Sequence, residues 1–210
     1  MKNMRFILFG AIALALSFTS CIEHEVIPAP VPTVDKYCHF EGLINGISTE
    51  FTENVSGYYC SGTKAKYIFP APAFSSAVYY SEMLSPTYPV SIRIGLGSLQ
   101  WDAALSNEPS LSTFNDFHMN NTTPAYSNSA ASGFEVTYKD GSGLLWTSKQ
   151  TSTNFQDVTL SAIKQGTDAT GDYSRYVCTF NCYVYHQDPV TLALDSIRFQ
   201  NAELKGFFKR

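Results

Sequence analysis

Two carboxylates come nearest to a catalytic pair in this chain. Asn45-Gly46, between the apolar runs around Phe40–Ile44 and Ile47–Phe51, is the strongest kind of short hairpin signal, and with those two residues as the turn Glu41 falls opposite Glu50. Two acids about 5 to 10 Å apart across a cleft are what hydrolysis of a glycosidic bond requires. Like charges facing each other on a sheet are otherwise tolerated only in water. We read the pair as a wet sheet face, with a glycan-directed hydrolase as the alternative. Other chemistry finds less support. No serine sits in a Gly-x-Ser-x-Gly elbow, and His24, His39, His118 and His186 are scattered, giving neither a triad nor metal-ligand spacing. Gly95-Leu96-Gly97 lies in a strand pattern and lacks the helix a phosphate loop needs. The expectation is no enzyme, no metal and no cofactor.

Four cysteines beyond Cys21 can form disulfides: Cys38, Cys60, Cys178 and Cys182. Arg175 to His186 reads as one strand, which separates Cys178 from Cys182 by about 13 Å and puts both on the same face. A disulfide needs its Cα atoms within about 7 Å. The expected bridges are therefore Cys38–Cys178 with Cys60–Cys182, or the crossed alternative. Candidate ligand-binding residues are the aromatics Trp101, Tyr126 and the pair Tyr79-Tyr80, which could stack on sugar rings. Trp101, between Gln100 and Asp102, is expected to be the most exposed of them, and Trp146 is expected in the core.

The first residues carry an address. Lys2 and Arg5 precede the apolar run Phe6 to Leu16 and then Ser17-Phe18-Thr19-Ser20-Cys21, the order of an export peptide whose apolar part is too short to span a bilayer. Phe18-Thr19-Ser20-Cys21 resembles the lipobox of bacterial lipoproteins, with Phe18 where Leu is usual, which implies acylation of the Cys21 thiol and cleavage after Ser20. Residues 1–20 are thus expected to be a lipoprotein signal peptide, and two or three acyl chains hold a protein firmly at a membrane. Pro28, Pro30 and Pro32 forbid helix and favour an extended tether over residues 21–36.

The remaining stretch, residues 37–210, is expected to be one domain. Taking off the leader leaves 12 Lys+Arg against 18 Asp+Glu, and no basic cluster offers a phosphate-binding face, so nucleic acid is excluded as a partner. With 13 Tyr and 15 Phe but only 15% charged residues, the composition suits strands.

These groups have to be positioned by strands. After the first hairpin, Tyr58–Cys60 and Lys66–Phe69 read as short strands around Ser61-Gly62, followed by Ala77–Tyr80 and Val90–Leu96. Asn107 to Asn120 is the one helical stretch: Ser110 can cap it, and Leu111, Phe114 and Phe117 or His118 fall at helical spacing. Phe134–Tyr138 leads through Asp140-Gly141 to Leu144–Thr147, then come Val158–Ala162 and the long strand. Ser196–Phe199, Gln200-Asn201 and Leu204–Phe208 read as a closing hairpin. The fold class expected is all-β, an antiparallel β-sandwich or barrel with one short helix.

Phe40-Glu41-Gly42-Leu43-Ile44-Asn45-Gly46, Gly143 to Ser148, and Cys178-Thr179-Phe180 before Phe199 to Phe208 resemble uncharacterised β-rich surface lipoproteins of Bacteroidota. The resemblance implies a shared fold and an envelope location, and carries over no catalytic residue. The acidic Ile22-Glu23-His24-Glu25 behind Cys21 resembles the surface-export signals of such lipoproteins, and Asp195-Ser196-Ile197 matches their short O-glycosylation pattern at Ser196. The function expected is a lipid-anchored outer-membrane lipoprotein at the cell surface, a binding or structural module. A glycan or an outer-membrane protein is its expected partner, and an accessory role in an outer-membrane assembly is the alternative to binding on its own.

Overall fold

The computed structural model describes residues 31–151 and 155–210, so the signal peptide, Cys21 and most of the tether lie outside the described residues. Among the described residues no helix is long and apolar enough to cross a membrane. Among the described residues ten antiparallel strands make one sheet: β1 His39–Ile44, β2 Ile47–Thr52, β3 Tyr59–Tyr67, β4 Ser75–Leu84, β5 Ser91–Trp101, β6 Phe134–Lys139, β7 Leu145–Ser148, β8 Asp157–Asp168, β9 Gly171–Gln187 and β10 Leu194–Lys209. Helix α1, Leu111–Asn120, lies between β5 and β6. The spatial order is β2-β1-β10-β9-β7-β6-β5-β4-β3, with β8 on β9 beside β7. One edge of β9 is thereby shared, β8 taking Gly171 to Asn181 and β7 taking Val184 and Tyr185.

Alternation along β9 explains which side is the core. Tyr176, Cys178, Phe180, Cys182 and Val184 are all buried, while Arg175, Val177, Thr179, Asn181, Tyr183 and Tyr185 face outward. The inner face continues through Phe40, Phe199, Leu204 and Phe208 to Ile92, Ile94 and Leu96, a single contiguous core. Each such side chain contributes about 2–3 kcal/mol when fully buried. The sheet rolls until β3 and β4 lie against β10. A Cβ on Gly62 would sit 2.9 Å from the Phe207 ring, and one on Gly206 would sit 2.8 Å from Ser81 Oγ, so both sites need glycine for this face-to-face approach.

α1 stops one end of the roll. Ser110 caps it by accepting a hydrogen bond from the Thr113 N–H at 3.1 Å, as the sequence implies. Phe114 and His118 then pack on Tyr79 of β4, and the His118 ring stacks on Phe208 of β10 with centroids 4.8 Å apart.

The disulfide differs from both expected pairings. Cys38 is bonded to Cys60, joining the start of β1 to β3, and Cys178 and Cys182 are free and buried. The long-strand reading is right that Cys178 and Cys182 cannot meet, but β10 lies between β1 and β9. Cys178 has Leu204 and Leu160 beside it, and Cys182 has Phe199, so no cysteine of the N-terminal segment is within reach. Cys38 and Cys60 instead flank the seam where the two ends of the rolled sheet approach.

Two other expectations are corrected. Gln200-Asn201 is a bulge inside a single 16-residue strand, where the register against β9 shifts between Phe199 and Ala202 and Asn201 takes φ 48°. Where two short strands, Tyr58–Cys60 and Lys66–Phe69, are expected, β3 runs unbroken from Tyr59 to Tyr67 through Ser61-Gly62 and leaves Tyr58, Ile68 and Phe69 outside it, because Gly62 is there to admit Phe207 and does not turn the chain.

Candidate functional site

The first hairpin forms as read: a two-residue turn with Asn45 at φ 50° and Gly46 at φ 79°, which pairs Glu41 with Glu50. On its other side Glu41 pairs with Glu203 of β10, a neighbour that sequence spacing does not reveal. The row continues through Thr179 of β9 to Thr159 of β8, so five adjacent strands present Glu50, Glu41, Glu203, Thr179 and Thr159 on the outer face. Like charges side by side are accommodated because the row faces water and has a cation and hydrogen-bond donors beside it. Glu203 is 3.2 Å from Lys205 Nζ, and Glu50 accepts hydrogen bonds from His39 Nε2 and Thr52 Oγ1, each at 3.0 Å. The bond from His39, and then that from Thr52, hold the Glu50 carboxyl below its ordinary range. Glu50 is thus an ionised acceptor, where a general acid would need the opposite shift.

Beside this row the bulge opens a shallow groove of about 340 Å³, lined by Glu41, Asp157, Thr159, Thr179, Asn181, Asn201 and Glu203. Its floor is cross-linked by hydrogen bonds. Asp157 Oδ1 accepts from both the backbone N–H and the Nδ2 of Asn181 at 2.9 Å, and Asn181 Oδ1 accepts from the Asn201 N–H at 2.8 Å. Asn181 therefore links β8 to the bulge of β10. The groove offers carboxylates, amides and hydroxyls, which suits a hydroxyl-rich ligand, and no cluster able to hold a metal ion occurs among the described residues.

Aromatic rings continue the groove along β9. Tyr183 and Tyr185 point to the same outer face as Thr179 and Asn181, with Phe155 5.2 Å from Tyr183 and Tyr183 6.4 Å from Tyr185, measured between centroids. The Arg198 guanidinium lies 4.2 Å over Phe155 and 6.0 Å from Tyr183, and Lys149 Nζ lies 5.6 Å over Tyr185. These cations hold the rings in place. Ser196 is exposed and pairs with Tyr185, so it stands at the end of this ladder.

The aromatics expected to form a platform are elsewhere. Tyr79 is fully buried against Phe114 and His118, and Trp101 is 7% exposed with its Nε1 donating to Ser106 O at 2.9 Å. Tyr126 is buried and donates to Asp157 O, its phenol pushed up in pKa by burial. Tyr80 is half-buried beneath Arg93, 4.9 Å from its ring. Trp146 is only partly buried and donates to Asp140 Oδ2 at 2.9 Å, outside the deep core that sequence reading gives it. Polar sequence neighbours made Trp101 look exposed, but strand alternation turns it inward. The signal that would have found Tyr183 and Tyr185 is their parity: they are odd-numbered on a strand whose even positions are Cys178, Phe180 and Cys182.

No family model matches the chain, and neither does any curated protein or solved structure.

Proposed function

We propose that the protein is a lipid-anchored envelope lipoprotein whose outer face binds a hydroxyl-rich ligand, a glycan being the fitting class. The observation that carries this is the union of acceptors and rings on one side of β9. Thr179 and Asn181 lead directly to Tyr183 and Tyr185, with Glu41, Glu203 and Asp157 alongside. Sugar recognition uses that combination, in which rings cover the apolar faces of pyranoses and carboxylates and amides take their hydroxyl protons. The anchor rests on the lipobox-like Phe18-Thr19-Ser20-Cys21.

Glycan-array binding tests the site. Thr179→Trp, which fills the groove from an exposed position, should abolish binding, and Tyr183→Ala should weaken it about tenfold, since stacked aromatics are worth about 0.5–1.5 kcal/mol beyond their area. Glu41→Gln should retain affinity. Turnover of a bound glycan by the wild type that Glu41→Gln removes would instead favour the hydrolase.

A second reading, an accessory subunit of an outer-membrane assembly, is favoured by exposed aliphatics on neighbouring hairpin tips. Leu144 in the β6–β7 turn adjoins Leu145 at the start of β7, and Val190 and Leu192 in the β9–β10 turn adjoin Leu194 at the start of β10. One stoichiometric protein partner in a detergent pull-down, lost in Leu192→Asp, would support it.

A further inference from the structure

We infer that the β3–β4 hairpin tip, with Leu105 beside it, is a membrane-contacting element that seats the domain on the lipid surface to which its tether leads. The inference rests on the lipoprotein reading above for the choice of surface. The tip reads Tyr67-Ile68-Phe69-Pro70-Ala71-Pro72-Ala73-Phe74, eight residues without a charge. Ile68, Phe69 and Phe74 are 54%, 48% and 62% exposed, and Leu105 in the β5–α1 connection is 86% exposed. A run of large apolar side chains held out into water marks a contact surface. Aromatic and aliphatic side chains on a short loop, flanked by Lys64 and Lys66, suit the headgroup boundary, where rings sit between apolar and wet.

Which surface they meet follows from where the tether begins. Val34 N–H and Lys36 Nζ both reach Asp168 Oδ2, at 3.4 and 3.2 Å, so the last tether residues are fastened at the β8–β9 turn. From that turn a chain of bonds runs to the tip. Arg210 binds Asp172 Oδ2 at 2.7 Å and donates from Nε to Pro109 O at 3.0 Å, and Glu108 next to it takes Lys64 and Lys66 at 2.9 and 3.0 Å. Lys66 immediately precedes Tyr67. The root of the tether and the apolar tip are thus at one end of the roll. The other end is far away, since β9 alone runs 17 residues from that turn, roughly 55 Å. A proline-rich tether at about 3.1 Å per residue limits how far the domain can stand from its anchor and sets no minimum, so it allows the tip to touch lipid.

The test compares the two ends of the full-length lipidated protein in vesicles whose acyl chains carry bromine. Phe69→Trp should lose about half its added emission, since contact side chains sit about 5–10 Å into the boundary. Leu192→Trp, on the far β9–β10 tip, should match its emission in vesicles without bromine. Quenching at Leu192→Trp, or at neither site, overturns the inference. So does a dimer in sedimentation that Ile68→Ser/Phe69→Ser/Phe74→Ser dissolves, because the occupant is then a second copy. Intact mass separates the two claims: without an acyl chain the lipoprotein reading fails, and vesicle flotation of the full chain decides the inference alone. Flotation that the triple serine variant abolishes sustains it, and no flotation overturns it.

Discussion

His118 is the residue whose burial should be felt most directly in solution. Its Nδ1–H is donated to Phe114 O at 2.8 Å, its Nε2 has no partner among the surrounding rings, and the side chain is 2% exposed. Burial outweighs that bond and brings its pKa down to about 4. An unfolded histidine titrates near 6.5, so between those values the unfolded chain binds the extra proton. Stability should fall as pH drops from about 6.5 to about 4 and then level off for this group, a loss of roughly 3 kcal/mol at 1.36 kcal/mol per unit. Asp168 is shifted the same way for the opposite reason: Thr170 holds its carboxylate well below the usual range, so its contribution is lost only below about pH 4. Urea titrations at pH 7 and pH 4.5 should show the drop in the wild type and not in His118→Leu. Cys178 and Cys182 give a second residue-scale expectation. Burial pushes the Cys178 thiol far up and the Cys182 thiol up to about 12, so neither should label in the native state. In denaturant without reductant, both should label while Cys38 and Cys60 do not.

At the scale of elements, the seam and the bulge decide the architecture. The strand edges of β2 and β3 are not paired with each other, and Cys38–Cys60 together with the stacked rings of Phe40, Phe51 and Tyr58 closes the gap between them. Breaking the bond in Cys38→Ser/Cys60→Ser should cost about 3 kcal/mol, the value for a loop of some twenty residues, seen as a lower urea midpoint with the fold retained. Gly97 is the tightest backbone approach in the sheet: a Cβ there would land on the Ala130 carbonyl. Gly97→Ala should therefore cost about 1–3 kcal/mol by overpacking. Hairpins with local turn chemistry were legible in the residues, as Asn45-Gly46 shows. The β6–β7 turn at Asp140-Gly141 was legible in place but not in form. It is a longer loop in which Asp140 Oδ1 accepts the N–H groups of Ser142 and Leu144, and Gly143, not Gly141, has positive φ. Gln200-Asn201 and Ser61-Gly62 carry the same kinds of turn residue, yet long-range pairing with β9 and packing of Phe207 keep each strand continuous.

The surface of the whole domain has three separate parts: a flank with the groove and rings, an end with the tether root and apolar tip, and a far end with aliphatic hairpin tips. Protease shaving of intact cells should remove the domain if it lies on the outer surface. Cys21→Ala should move the protein from the membrane to the soluble fraction. Retention of that variant in the membrane would end the lipoprotein reading.

What the amino-acid order determined by itself is local. Period-two alternation set the strands and their buried faces, Asn45-Gly46 set the Glu41–Glu50 register, and Ser110 set the start of α1, because each depends on neighbours a few residues away. Only the tertiary structure decided which strands lie side by side. That choice brought Glu203 to Glu41, put β10 between Cys38 and Cys178, and turned Tyr126 inward. The physical reason is that pairings between distant strands are selected by the closure of one shared core, and no short window of sequence contains that information.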